Sequence, residues 1–417
     1  MIQTLTAGDD SPRIPPITQA LAPARPAEGC PNPDTSQAPD TAEPVRVRAG
    51  SPEALLAIVP HLLGFVPRDS LVVIGLQPPN HLIKVTLRYD LPDPPGAGVA
   101  EDIAAHAVGV IGSQRLTALV AVGYGPPVLV DLVADALGAA AGRAGIDVAD
   151  ILRVENGCYW SYLCTDEACC PAAGTPFDPG AHAAAVALAG TGHSVLADRS
   201  AVAARIAPLD GTAAESMRQA TCRAERRVSR LLAKVRKSAR LGAARRVIAA
   251  EGLNAVSSVI ATYRAGGSCT TDYQVAWITV ALRDLRVRDD AWARMDPAHL
   301  DAHRRLWTDV TRRAQPGYVA APASLLAFVA WQAGDGALAN VALDRALADE
   351  PRYSMALLLR QVITAGAPPA LARLPMTPEE VAASYDDADD TDEDDLAEDY
   401  DHEPDDDVHD PDPLGEQ

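Results

Sequence analysis

Downstream of residue 50 the chain alternates between helical and extended hydrophobic periods. Ser51-Pro52-Glu53 supplies an N-cap, a proline at the first helical position and an acid in the first turn, and Leu55, Leu56, Ile58, Val59, Leu62 and Leu63 follow at helical spacing until Gly64. The spacing predicts a short helix. Leu71–Leu76 is a compact apolar run bounded by Pro67 and Pro78-Pro79, while Leu82–Tyr89 alternates apolar with polar residues. Both read as strands, the second half-exposed, with Pro-Pro-Asn as the hairpin loop between them. Val99–Ile111 reads as helix, Leu116–Val122 as a buried strand ending at Gly123, Val128–Ala141 as helix, and Ile151–Leu163 as β-rich residues around Gly157. Strand, strand, helix, strand, helix, strand indicates an α/β domain with a mixed sheet.

After Pro208-Leu209-Asp210 every signal is helical: 213–250, 255–263, 272–286, 297–314, 323–333, 336–348 and 353–365 show helical spacing with Gly and Pro between them. The spacing Gly334-Asp335, Ala339, Ala346-Leu347 and Pro351 matches the second half of a tetratricopeptide repeat, in which small residues let paired helices approach and proline ends the second one. A plain helical hairpin fits the same residues. The expected organisation is a disordered Pro/Ala-rich lead-in over 1–44, an α/β domain over 45–205, an all-α, tetratricopeptide-like domain over 206–376 and a disordered acidic tail over 377–417.

Composition sharpens this picture. Of 417 residues 48% are hydrophobic and only 4% aromatic, which excludes a wholly disordered chain and makes Ala, Val and Leu the core builders. The formal net charge of −20 is confined to the tail, since residues 377–417 hold 20 acidic groups and no Lys or Arg, whereas the rest of the chain is balanced. No run reaches the ~20 uninterrupted apolar residues of a spanning helix, and Met1–Ala20, with Asp9 and Asp10, has no apolar core for a secretory signal. No membrane contact and a cytoplasmic location are therefore expected. Seven cysteines in a chain of this size argue against a disulfide framework and for reduced thiols.

Several blocks carry a family likeness. Leu63-Gly64-Phe65, Asp69-Ser70-Leu71-Val72, Asp90-Leu91-Pro92, Trp160-Ser161, Cys169-Cys170-Pro171 and Gly174-Thr175-Pro176, with Arg288-Asp289, Ala291-Trp292 and the segment 325–369, resemble an actinobacterial family known only as a domain of unknown function. The resemblance spans roughly residues 45–370. It implies a shared fold and no established chemistry.

The sharpest local chemistry is the cysteine cluster. Cys164, Cys169 and Cys170 lie within seven residues, with Cys158 upstream and His182 and His193 downstream, and thiolates with imidazole are zinc ligands. The candidate metal set is Cys164, Cys169, Cys170 and His182. Against it stands the lack of any Cys-x-x-Cys pair; a buried reduced set and a vicinal or loop-closing disulfide are the competing readings. The gap before Pro171 predicts that Cys164 lies near Cys169 or Cys170. No other cofactor is expected.

A second feature is basic: Arg218, Arg223, Arg226, Arg227, Arg230, Lys234, Arg236, Lys237, Arg240, Arg245 and Arg246 face Glu225 alone. Nucleic-acid phosphates would suit it, but the acidic tail is a competing internal polyanion and disfavours that partner; a solvated helix face is the plainer reading. Asp90, with Arg88 beside it, ends a strand where α/β proteins place ligand groups. Gly123-Tyr124-Gly125-Pro126-Pro127 follows a strand, yet its prolines remove amides that a phosphate cradle needs. His61 reads as a rim residue. No serine-hydrolase elbow, Walker loop or zincin motif occurs. The expectation is a non-enzymatic protein-interaction or ligand-binding regulatory module that meets a protein partner through its helical domain. Its alternative is an enzyme or a metal- or redox-dependent sensor with a site near Asp90 and the Cys164–Cys170 loop.

Overall fold

The computed structural model describes residues 17–21, 45–93, 96–190, 195–236, 241–269, 271–369 and 377–385. Contacts divide the chain otherwise than the sequence boundary at 205–206: one unit comprises Met1–Glu215 with His303–Arg373, the other Ser216–Ala302 with Leu374–Gln417.

The first unit is built on an eight-stranded sheet in the order β2-β1-β4-β3-β5-β6-β7-β8. The strands are β1 (Ile17–Leu21), β2 (Val45–Ala49), β3 (Ser70–Gln77), β4 (Leu82–Asp90), β5 (Ala118–Tyr124), β6 (Asp147–Glu155), β7 (Cys158–Ser161) and β8 (Thr175–Pro176). The sheet is mixed, as expected: β5 runs parallel to β6 and β1 parallel to β4, while the remaining neighbours are antiparallel. Helices cover both faces. α1 (Pro52–Leu63) and α4 (Ala183–Ala189) lie over Val72, Ile74, Val120, Val122 and Leu152. α2 (Ala97–Ser113) and α3 (Pro127–Ala144) lie over Leu71, Val73, Leu119, Ala121 and Ile151. Strands covered on both sides have no polar face, which explains the unbroken apolar runs of β3 and β5. The caps of α1 are those predicted, with Ala54 N–H donating to Ser51 Oγ at 3.3 Å and Gly64 in the left-handed region at φ 76°.

The expectation of a structureless lead-in needs correction at one place, because β1 lies inside 1–44 and pairs along its length with β2. Five residues between prolines are too short for a periodicity signal, and the strand exists through its partner. Residues 1–16 and 22–44 lie outside the described residues.

The same unit contains α5 (Arg199–Ala204) and, from His303, α10 (Leu300–Arg313), then α11 (Ala320–Gln332), α12 (Gly336–Asp349) and α13 (Ser354–Thr364). α11 is buried from Ala320 to Trp331. It pairs with α12, where Asp335 caps the helix by accepting the Leu338 N–H at 2.9 Å and Ala339, Ala342 and Ala346 are fully buried. This hairpin with α13 is what corresponds, among the described residues, to the expected tetratricopeptide-like segment.

The second unit holds α6 (Gly211–Arg236) from Ser216 onward, α7 (Leu241–Arg264), α8 (Asp272–Ala281) and α9 (Leu285–Ala293). The predicted helix 213–250 takes in α6 and the start of α7, with residues 237–240 outside the described residues. The predicted helix 272–286 is two helices, because Asp284 caps a new start by accepting the Arg286 N–H at 2.9 Å. Arg227 ties three helices together: its guanidinium lies 4.7 Å from the Trp277 ring and bonds Glu251 at 2.8 Å. The acidic tail begins with order as well. Residues 378–385 are helical behind a Thr377–Glu380 capping box, and the Tyr385 hydroxyl donates to Asp289 at 2.6 Å. The rest of the tail lies outside the described residues.

Candidate metal centre

The site is made by the β6–β7 hairpin and the loop that leaves it. Asn156 and Gly157 both take positive φ, 50° and 76°, the conformation a tight two-residue hairpin turn requires. Pairing then sets Leu152 opposite Ser161. Asp150, 2% exposed, accepts the Ser161 hydroxyl at 2.7 Å and its neighbour's Ile151 N–H at 2.8 Å. Burial raises the Asp150 pKa above the ordinary carboxylate range and outweighs these two bonds. Ser161 Oγ in turn receives the N–H groups of Leu163 at 3.2 Å and Cys164 at 3.0 Å. The first cysteine is therefore anchored through its backbone to the sheet.

Asp166 turns the chain back. Its side chain accepts the Ala168 N–H at 2.9 Å, and its carbonyl accepts the N–H groups of Cys169 at 3.1 Å and Cys170 at 2.7 Å. A second turn follows, closed by Gly174 N–H to the Pro171 carbonyl at 2.8 Å. Trp160 braces it. The indole N–H donates to the Ala172 carbonyl at 3.1 Å, and the Arg153 guanidinium sits 3.8 Å from the ring centre while pairing with Glu155 at 2.7 Å. Gly174 lies against the same ring: at φ 84° a Cβ there would fall 2.6 Å from the indole carbons. Only glycine meets both demands.

These turns bring Cys164, Cys169 and Cys170 together, with their sulfurs all within 4.8 Å of one another and half-buried. The predicted approach of Cys164 to the vicinal pair is present. Burial, reinforced by the neighbouring thiols, pushes the Cys170 thiol up to about 12 and raises Cys169 in the same direction. Three sulfurs so held suit a thiophilic ion, whose charge supplies what proton loss from these thiols otherwise lacks.

The other expected members do not join them. His182 caps α4, with Nδ1 accepting the Ala184 N–H at 3.1 Å, and is not in the cluster of donor atoms. Cys158 stands on β7 opposite Pro176, and His193 lies outside the described residues. Asp90 is exposed and paired with Arg88 at 2.6 Å. It ends β4, four strand spacings from β7 in the sheet order, roughly 19 Å. Asp90 and the cysteine loop are thus not one site.

Next to the thiols is a pair that sequence reading did not find. The buried Tyr159 hydroxyl donates to Glu53 in the first turn of α1, and Thr175 donates to the Cys169 carbonyl at 3.5 Å. Burial opposes ionisation of Glu53, yet the bonds from Tyr159, its own backbone and Ser51, with His182 nearby, hold its pKa below the usual value. Burial and the Glu53 bond raise the Tyr159 phenol. Glu53 and Tyr159 are 106 residues apart, so no local spacing signals them.

No helix among the described residues is long and apolar enough to cross a membrane. No curated protein and no solved structure matches the chain. A family described as a domain of unknown function, DUF4192, matches residues 52–370, a span that includes the whole cysteine loop and the sheet from β3 onward. The chain belongs to the DUF4192 family.

Proposed function

We propose that the chain is a non-enzymatic regulatory module in which Cys164, Cys169 and Cys170 hold one zinc ion and the helical segments meet a protein partner. The observation that carries the metal reading is the approach of three sulfurs to within 4.8 Å on a loop with separate anchors for each arm. A metal there would lock the arm from Ser161 to the arm ending at Trp160 and Gly174. The loop would then respond to metal supply, the sensor version of the alternative expectation. Thiolate ligands need reduced cysteines, in keeping with a cytoplasmic place. A protein partner is supported by α13, where Leu357 and Leu358 stand 43% and 50% exposed side by side.

Elemental analysis of protein purified without added metal tests this reading. About one equivalent of zinc per chain is expected, falling to background in Cys164→Ser, with chelation changing Trp160 fluorescence. Protein that takes up no zinc on titration, and whose Trp160 signal ignores both zinc and chelator, would overturn it.

A further inference from the structure

The basic helix α6 splits its arginines between two jobs. Arg227 turns inward to Glu251 and Trp277. Arg223, Arg226 and Arg230 are exposed on one line of the helix, three and seven residues from the first, about 10 Å end to end. None of these three pairs with an acidic side chain among the described residues: Arg226 and Arg230 bond only the backbone carbonyls of Cys222 and Arg226. Three uncompensated guanidinium groups at that spacing form a ready contact for a linear polyanion.

The chain carries one within reach. Residues 386–417 contain 18 Asp and Glu and no Lys or Arg, and they follow directly on Tyr385, which is fixed to Asp289 of α9. Adjacent residues of α7 bridge from that point to α6. Glu251 bonds Arg227, and Gly252 packs so closely on α9 that a Cβ would meet Val287 at 3.0 Å. The path from Tyr385 across α9 and α7 to the arginine line of α6 thus spans about three helix diameters, roughly 30 Å. The acidic segment's 32 residues span up to ~105 Å extended and ~30 Å as a coil. A tether of that length keeps the effective concentration near the millimolar range.

We propose that the exposed Arg223–Arg226–Arg230 face of α6 is the docking site of the chain's own acidic segment, residues 386–417. The contact is ionic, needs no fixed register, and covers the helix against phosphate polyanions.

The full-length protein tests this directly, because its lysines are only Lys84, Lys234 and Lys237, two of them at the end of the basic stretch. Zero-length carbodiimide coupling at low salt, followed by peptide mapping of the monomer, should join carboxylates of 386–417 to Lys234 or Lys237. The yield should fall at least about fivefold when ionic strength rises from ~0.02 to ~0.5 M. It should fall similarly in R223Q/R226Q/R230Q; should the triple variant misfold, single R223Q and R230Q should each lower it. Absent or salt-insensitive coupling, coupling mainly to Lys84, or an unchanged yield in the variants would each overturn the proposal. So would full-length protein that binds duplex DNA through these arginines while its acidic segment stays uncoupled.

Discussion

Ser161 donates a hydrogen bond from its hydroxyl to the buried carboxyl group of Asp150 at 2.7 Å and accepts the Cys164 N–H at 3.0 Å with the same oxygen. One side chain thus transmits the position of β6 to the first cysteine. Ser161→Ala leaves the thiols in the sequence but frees the arm that carries Cys164. Metal affinity should drop about 10–100-fold, the usual cost of losing an outer-shell anchor, read by competition with a chromophoric chelator. Ser161→Thr, which keeps the hydroxyl, should restore most of it. Equal affinities for alanine and wild type would show that the anchor does not matter to the site.

Gly174→Ala forces a Cβ into the Trp160 ring at 2.6 Å and a side chain onto φ 84°. The two effects act together, and a loss of about 1–3 kcal/mol is expected. Denaturant unfolding measures it, and Trp160 fluorescence should shift in the folded variant. An unchanged midpoint would mean that the loop moves off the ring at no cost.

How much of this was legible in the sequence depends on distance along the chain. The strands β3 and β5 were readable because both faces are covered and their composition says so without help from partners. The turn joining Cys164 to Cys170 was readable from the five intervening positions and Pro171. Asp150 was not, because a charge in an apolar strand gains meaning only when hairpin pairing places Ser161 beside it. β1 was hidden for the same reason, since a five-residue strand is defined by its neighbours β2 and β4 and not by its own pattern. The split of 272–286 rested on Asp284, whose capping role competes with a continuous apolar stripe and wins locally.

Asp349 closes the start of α11 from the end of α12. Its carboxylate accepts the N–H groups of Gly317 at 2.7 Å, Val319 at 2.9 Å and Ala320 at 3.1 Å. The donors at the N-cap Val319 and the first helical residue Ala320, with that of Gly317 just before them, have no partner within the helix. Asp349→Ala should cost about 1–2 kcal/mol in thermal or urea unfolding, and Asp349→Asn, which keeps an acceptor and loses the charge, should recover part of that. A neutral alanine variant would show that water satisfies these amides equally well.

The last prediction uses the burial of Asp150. Its folded pKa is raised, so the folded chain binds this proton more tightly than the unfolded chain does. Below the unfolded value both states are protonated and the group adds its full contribution. As pH rises from there through the folded value, the unfolded chain releases the proton first and stability falls. Above the folded value the penalty of a buried carboxylate is complete and constant. Asp150→Asn keeps an oxygen for Ser161 and Ile151 and has no charge to bury, so it should lack this loss. The stability of the variant minus that of wild type should therefore climb with pH across the acidic range and then level off, as followed by urea unfolding from about pH 3 to pH 8. A difference that stays flat across that range would mean Asp150 ionises in the folded protein as readily as in the unfolded one, and that its environment is wetter than its 2% exposure indicates.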